Sequence, residues 1–182
     1  EVRERIGSFI HEYEVVLSRF RDDSIVGRMR TAAHGGTFDF PDWASGLFGL
    51  YDRLFAATDG ATDPCVGEDL IRLGYDPALS FTVEADAGER LGALHGRAVW
   101  GRDVVRSSGT TLVTRSPVHV DFGACGKGYL VDSLGGLLTD SELSRTSHVK
   151  SAETTNPTCQ SSTSDSKRES AAPHEKADPC GA

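Results

Sequence analysis

Residues 118–132 combine side-chain types that could hold a phosphate group. Asp121 ends a predicted strand, three glycines lie between residues 123 and 128, and Lys127 stands at the predicted start of an amphipathic helix. Glycine lets backbone N–H groups approach a ligand closely, and the first turn of a helix presents free donors with a partial positive charge. Lys127 would add a point charge. The pattern therefore favours an anionic ligand at this turn.

Two common nucleotide-binding motifs do not account for this stretch. A Walker A loop needs a glycine where Asp121 stands and a Ser or Thr where Gly128 follows the lysine. The dinucleotide fingerprint G-x-G-x-x-G is absent as well. A glycine-rich turn between strand and helix, with an exposed lysine and no ligand, remains the alternative interpretation.

Three main helices and one short helix are predicted around this turn. Apolar residues at steps of three and four predict a helix of about five turns that buries Val2 through Phe20 on one face. Ser24 or Asp23 would cap a short helix that follows. Residues 41–42 would open a second long helix, and a third is predicted over 127–138.

Strands and loops complete the predicted architecture. Residues 59–76 are rich in Gly, Asp and Pro, which predicts a structured loop with one short helix near residues 68–73. Alternating apolar and polar residues predict antiparallel strands at 81–85, 98–105, 111–114 and 118–122. Helices combined with a small antiparallel sheet predict an α+β fold.

Three segments of the chain resemble motifs of one enzyme family. Residues 121–132, DFGACGKGYLVD, are similar to the DLGGIAKGYAVD segment of the FAD:protein FMN transferases, the ApbE family. Residues 17–24, LSRFRDDS, resemble that family's lSxYxxDSxl element, and residues 58–67, TDGATDPCVG, resemble its TdGaFDpTvG element. The three motifs stand in the family's order, so residues 1–138 are identified as part of an ApbE-like domain.

The resemblance implies an ApbE-like fold and a phosphoryl-transfer reaction. Members of the family bind FAD as a substrate, cleave its pyrophosphate with Mg²⁺, and join FMN to a Thr or Ser hydroxyl of an acceptor protein. Positioning and fixed charges supply most of the catalysis in such reactions. FAD, Mg²⁺ and an acceptor flavoprotein are therefore the implied substrate, metal and partner.

The resemblance also implies roles for seven residues. The backbone carbonyl of Ala124 falls at the position of a Mg²⁺ ligand, a role that tolerates side-chain changes. Six other residues fall at positions that contact FAD: Phe20, Ala61, Thr62, Asp63, Asp121 and Lys127.

Three of these residues also have a purely structural interpretation. In that interpretation Asp63, which precedes Pro64, does no more than begin a turn. Phe20 completes the core face of the first helix. Asp121 caps the third helix.

The resemblance stops after residue 138. The family's later motifs do not appear in residues 139–182, and residues 151–182 contain no Leu, Ile, Val, Phe, Tyr, Trp or Met. Such a segment cannot bury enough apolar surface to offset its ordering entropy. We therefore expect a partial domain over 1–138, a disordered tail over 139–182, and a truncated chain that is impaired or inactive in transfer. A flavin-binding or nucleotide-binding remnant and a nucleotide pyrophosphatase are the alternatives.

Composition excludes other classes of function. A net charge of −8 argues against a nucleic-acid partner, because proteins that bind nucleic acid normally concentrate Lys and Arg on one face. No apolar run approaches the roughly 18 residues of a membrane span, and four cysteines without C-x-x-C spacing predict no zinc knuckle. The chain as it stands is expected in the cytoplasm, or at the cell envelope as a periplasmic-side lipoprotein if an anchor precedes Glu1.

Overall fold

The computed structural model describes the backbone of residues 1–152 and the side chains of residues 1–139. Contacts divide the chain into two units, Glu1–Arg145 and Thr146–Ala182, and only residues 146–152 of the second are described. The helices are α1 (Val2–Leu17), α2 (Ile25–Thr31), α3 (Ala44–Ala57), α4 (Gly67–Arg72), α5 (Ala87–Arg90) and α6 (Gly123–Ala152). The strands are β1 (Gly36–Asp39), β2 (Val104–Arg106) and β3 (Thr111–Thr114), and 3₁₀ turns cover Pro64–Val66 and Ala93–His95. None of the described helices is both long and apolar enough to cross a membrane.

The turn between α1 and α2 is organised by one buried serine. Helix α1 ends at Leu17, and the next residue, Ser18, is extended. The Ser24 hydroxyl accepts from the N–H of Gly27 at 2.8 Å and donates to the carbonyl of Ser18 at 2.7 Å. The predicted cap is therefore confirmed. The predicted length of α1 is wrong, because the chain turns out of the helix before Phe20.

Helix α3 supplies the centre of the core. It begins at Ala44, three residues after the predicted start at Pro41, and the side chains of Leu47, Phe48 and Tyr51 are fully buried. Aromatic rings from other segments pack around Phe48, with Phe40 edge-to-face at 4.9 Å and Phe122 at 5.6 Å between centroids. These contacts join the helices to the sheet and to the segment before α6.

The described sheet has three antiparallel strands in the order β1-β3-β2. Thr114 is the partner of both Gly36 and Val104 in the strand register. Strand β3 is confirmed, β2 falls at the end of a predicted strand and continues one residue beyond it, and β1 has no counterpart among the predicted strands. Its four residues follow Gly35, whose φ of 69° and proximity to the Thr114 carbonyl leave no room for a side chain. The α+β class is confirmed.

Two predicted strands do not form. Residues 81–85 lie in a loop in which Phe81 is 73% exposed and has a φ of 49°, so their alternating pattern has no partner strand. Residues 118–122 are buried but irregular. The Val118 N–H bonds to the Met29 carbonyl at 3.2 Å, and the Asp121 N–H bonds to the Pro64 carbonyl at 2.7 Å, so helices and loops replace a strand ladder.

Helix α6 differs from its prediction at both ends. It begins at Gly123, so Lys127 lies inside the helix and not at its start. It ends at Ala152, so residues 139–152 of the predicted disordered tail are helical, whereas residues 153–182 lie outside the described residues. Glycine disfavours a helix, but the Tyr13 hydroxyl donates to the Gly126 carbonyl at 2.7 Å and the Tyr51 hydroxyl accepts from the Cys125 N–H at 3.2 Å. Tertiary contacts therefore fix the helix start.

Replacement of the buried cap tests the turn between α1 and α2. Ser24→Ala removes an acceptor for the Gly27 N–H and a donor to the Ser18 carbonyl, and should lower the free energy of unfolding by about 1–2 kcal/mol. Ser8→Ala, at an exposed position inside α1, is the matched control and should change it by less than about 0.5 kcal/mol. Urea unfolding followed by circular dichroism measures both. Equal stability of the two variants would contradict the capping role.

Candidate functional site

A cleft of about 670 Å³ opens between the end of α1, the loop after α3 and the first turns of α6. Its walls contain every residue to which the resemblance assigned a role: Phe20, Ala61, Thr62, Asp63, Asp121, Ala124 and Lys127. The structure thus brings together three sequence motifs that lie far apart in the chain.

Backbone contacts hold the loop against the segment before α6. The Asp121 N–H donates to the Pro64 carbonyl at 2.7 Å, and the Gly67 N–H donates to the His119 carbonyl at 3.0 Å. A Cβ on Gly67 would lie 2.7 Å from that same carbonyl oxygen, so only glycine permits this approach. The cleft depends on this close packing.

A tight turn places Ala61 and Thr62 in the cleft wall. Asp59 and Gly60 have φ values of 50° and 81°, a left-handed conformation that Asp and Gly tolerate better than most residues. The Thr58 hydroxyl oxygen accepts from the Thr62 N–H at 2.9 Å and closes the turn. The Asp-Gly sequence therefore explains locally how this wall is built.

Asp63 is held by a buried polar network. Its Oδ1 accepts from the N–H groups of Cys65 at 2.8 Å and Trp100 at 3.3 Å, and its Oδ2 pairs with Arg97 Nη1 at 2.9 Å. The side chain is only 2% exposed, and Arg97 Nε also lies 2.9 Å from Asp69. The structural interpretation of Asp63 is thus supported, and its contact with FAD stays a prediction.

The cysteine beside Asp63 is buried and free. Burial, together with the neighbouring Asp63 carboxylate, raises the pKa of the Cys65 thiol. A thiol that stays protonated is a poor nucleophile and a poor metal ligand. Cys65 therefore belongs to the core of the molecule and not to its chemistry.

Asp121 is fixed by two contacts. Its Oδ1 accepts from the Gly123 N–H at 2.5 Å, and its Oδ2 forms an ion pair with Arg19 Nε at 2.6 Å. The first contact supports the interpretation of Asp121 as a residue that stabilises the start of α6. Arg19 is not among the residues predicted for the site. It stands at an unspecified position of the matched element at 17–24, so the motif gives no indication of its role.

An aromatic pair lies at the mouth of the cleft. Phe20 is 43% exposed and meets Tyr75 edge-to-face, with 5.7 Å between ring centroids. The guanidinium carbon of Arg19 lies 4.2 Å from the centroid of Phe20 and 4.6 Å from that of Tyr75. Phe20 therefore does not complete the core face of α1. The sequence analysis also missed Tyr75.

Lys127 carries an uncompensated charge. The cleft contains two cations among the described residues, and the charge of Arg19 is balanced by Asp121. Lys127 is exposed in the second turn of α6 and has no ion pair or hydrogen bond with the described residues. The charge available to an anionic ligand is therefore that of Lys127.

The described part of the chain offers no cluster of acidic, His or Cys side chains for a metal ion. It contains no group of three or more His, Cys, Asp or Glu residues placed to hold a metal ion. Three carboxylates line the cleft in the described part of the chain: Asp63 and Asp121 each pair with an arginine, and Glu14 is exposed. The Ala124 carbonyl belongs to the first turn of α6, where carbonyls point along the helix axis. The ligand role of Ala124 stays a prediction.

Removal of the buried arginine tests the network around Asp63. Arg97→Ala leaves the buried Asp63 without a cation and Asp69 with only the longer contact to Arg72 at 3.9 Å, and we expect the free energy of unfolding to fall by about 3–5 kcal/mol. Arg102→Ala breaks an ion pair with Asp103 in which the arginine is 61% exposed, and should change it by less than about 1 kcal/mol. Urea denaturation compares them. Similar losses of unfolding free energy in both variants would show that the buried network around Asp63 contributes no more than an exposed ion pair.

Solved structures similar to this chain include flavin transferases. The apo flavinyl transferase ApbE of Pseudomonas stutzeri matches with a TM-score of 0.62 and 22% identity, over 76% of this chain and 46% of that one. The flavin transferase ApbE of Vibrio cholerae matches with a TM-score of 0.61 and 23% identity, over 76% and 44% of the two chains. At these identities the likeness establishes the fold, and the chain spans less than half the length of either protein.

The sequence itself matches a family profile. A comparison with curated proteins gave no significant match. The profile of the ApbE family matches residues 2–147, which extends past the predicted boundary at residue 138. Because that match covers well over half of the 182 residues, the chain belongs to the ApbE family.

Proposed function

We propose that this chain binds FAD in the cleft and is the FAD-holding part of an FAD:protein FMN transferase. The observation that carries the proposal is the convergence of all seven motif residues on one cleft. Its volume of about 670 Å³ lies within the range of roughly 300–1,000 Å³ that is typical of sites for small molecules and cofactors.

The cleft has one polar and one aromatic region, as FAD requires. The N–H groups of Gly123, Cys125 and Gly126 already donate to Asp121, Tyr51 and Phe122. The pyrophosphate would therefore bind at this end through the Ala124 N–H and the free positive charge of Lys127. Phe20 offers an exposed aromatic face at the mouth, where a flat ring would stack. Asp121, already paired with Arg19, would shape the polar end and not add a repelling charge.

The proposed reaction of the complete family fold is a phosphoryl transfer. The bond between the two phosphates of FAD would break, AMP would leave, and the FMN phosphorus would form a phosphoester with a Thr or Ser hydroxyl of an acceptor protein. Mg²⁺ would neutralise the phosphate oxygens. The described residues do not supply a magnesium shell, so we assign no metal-dependent step to them and propose that this chain holds FAD without transferring FMN.

Lys127 provides the test of FAD binding. The full chain should bind FAD, and Lys127→Ala should weaken that binding about tenfold, or about 1.4 kcal/mol, because one charge-assisted contact to phosphate is lost. Flavin fluorescence titration measures both dissociation constants. Arg3→Ala, which removes an exposed charge at the other end of α1, should leave the affinity unchanged. Failure of the unmodified chain to bind FAD would refute the proposal.

A labelling assay separates the possible activities. We expect no fluorescent FMN-labelled acceptor when the full chain is incubated with FAD, Mg²⁺ and an acceptor flavoprotein, since the metal shell is incomplete in the described residues. The Pseudomonas stutzeri flavinyl transferase, incubated in parallel, is the positive control. Labelled acceptor would contradict the proposed lack of transfer. Release of AMP without labelling would favour a pyrophosphatase.

A further inference from the structure

Tyr51 places a buried hydroxyl at the start of α6. The residue belongs to α3, is 1% exposed and lines the floor of the cleft. Its ring packs edge-to-face against Phe122, with 5.4 Å between ring centroids, and its centroid lies 6.4 Å from that of Trp100. These rings fix the phenol in the position where its oxygen accepts from the Cys125 N–H at 3.2 Å.

The proton of the Tyr51 hydroxyl has no acceptor of its own. A phenol oxygen can accept and donate at the same time. The Cys125 N–H uses the acceptor, and Tyr51 donates to none of the described residues. The Cys125 thiol lies beside the hydroxyl, but sulfur is a weak acceptor. A buried donor without a good acceptor costs free energy, so this proton favours a ligand that brings an acceptor.

Tyr13 has the opposite arrangement on the same turn of α6. Its hydroxyl is also buried, but it donates to the Gly126 carbonyl at 2.7 Å, so its proton is already used. Tyr13 gives a proton to the helix, whereas Tyr51 receives one from it. Of these two tyrosines, Tyr51 is therefore the one that can donate into the cleft.

The surroundings of Tyr51 keep its hydroxyl protonated. Burial raises the pKa of this hydroxyl, and the bond from the Cys125 N–H offsets only part of that shift. The nearby carboxylate of Asp121 raises the pKa further. At neutral pH the phenol is thus a donor, and it adds no negative charge that would repel a phosphate.

We propose that the Tyr51 hydroxyl donates to an oxygen of the FAD pyrophosphate, as a third donor beside the Ala124 N–H and Lys127. This inference rests on the proposed function and adds a residue to the same site. A phosphate oxygen carries charge and is therefore a stronger acceptor than the Cys125 sulfur. An oxygen that accepts one hydrogen bond is polarised and donates a stronger one. The Cys125 N–H, which α6 does not present directly, thus acts through Tyr51.

Removal of one oxygen atom tests the contact. Tyr51→Phe keeps the ring packing and should weaken the binding of inorganic pyrophosphate and of FAD to the full chain about tenfold, because a hydrogen bond to a charged acceptor is lost. Calorimetry measures the dissociation constant of pyrophosphate, and flavin fluorescence measures that of FAD.

Tyr13→Phe is the matched control. It removes a buried hydroxyl from the same turn of α6, but not a donor that is free for the ligand, and should weaken both ligands less than about twofold. Equal losses of affinity in Tyr51→Phe and Tyr13→Phe would show that both hydroxyls act only through the position of α6, and would overturn the proposal.

Fluorination of the same ring separates donation from acceptance. Replacement of Tyr51 by 3-fluorotyrosine makes the hydroxyl more acidic, so it donates a stronger hydrogen bond and accepts a weaker one from the Cys125 N–H. We expect tighter binding of pyrophosphate and FAD. Weaker or unchanged binding would mean that Tyr51 serves the helix alone. Because this variant retains the hydroxyl, it provides the test even if Tyr51→Phe fails to fold.

The unmodified chain separates failure of this inference from failure of the proposed function. If the full chain binds neither FAD nor pyrophosphate, the proposed function fails and this inference fails with it. If the full chain binds FAD and Tyr51→Phe binds FAD equally well, only this inference fails.

Discussion

The hydrogen bond from the Asp121 N–H to the Pro64 carbonyl is the contact on which the cleft depends. It joins the loop after α3 to the segment that leads into α6, and the Gly67–His119 bond extends the same contact. Separation of these two segments would move Asp63 and Thr62 away from Lys127 and remove the space between them. The family's motifs therefore line one cleft because backbone hydrogen bonds join these two irregular segments.

Charge pairing decides which groups in the cleft remain available. Two arginines, Arg19 and Arg97, balance Asp121 and Asp63 and thereby lower the cost of burying these carboxylates. The positive charge of Lys127 is left over, next to the start of a helix. An anion entering the cleft thus meets attraction at α6, paired carboxylates at Asp63 and Asp121, and the exposed carboxylate of Glu14 on the α1 side.

The sequence predicted those features that depend on local pattern. Helices α1 and α3 have long apolar faces, and the cap of α2 follows from Ser24 alone, so each could be located without tertiary information. Residues 81–85 and 118–122 show why strands are harder, since alternation predicts a strand only where a partner strand is available. The pairs Arg19–Asp121 and Arg97–Asp63 join residues distant in sequence, and no local rule indicates them.

Motif resemblance grouped residues that prove to be neighbours, but it did not indicate what each of them contacts. All seven residues line one cleft, but Asp63 and Asp121 prove to be engaged in holding the fold, and Lys127 lies a turn deeper in α6 than expected. Arg19 and Tyr75 were missed because a motif records residue types and not the stacking between them.

The glycine-rich beginning of α6 has a thermodynamic consequence. Each of Gly123, Gly126 and Gly128 costs about 1 kcal/mol of helical stability relative to alanine, so this turn has little intrinsic tendency to stay wound. The hydroxyls of Tyr13 and Tyr51 hold it from outside the helix. The winding of this turn therefore depends on α1 and α3, which supply the two tyrosines, and not on the helical propensity of its own residues.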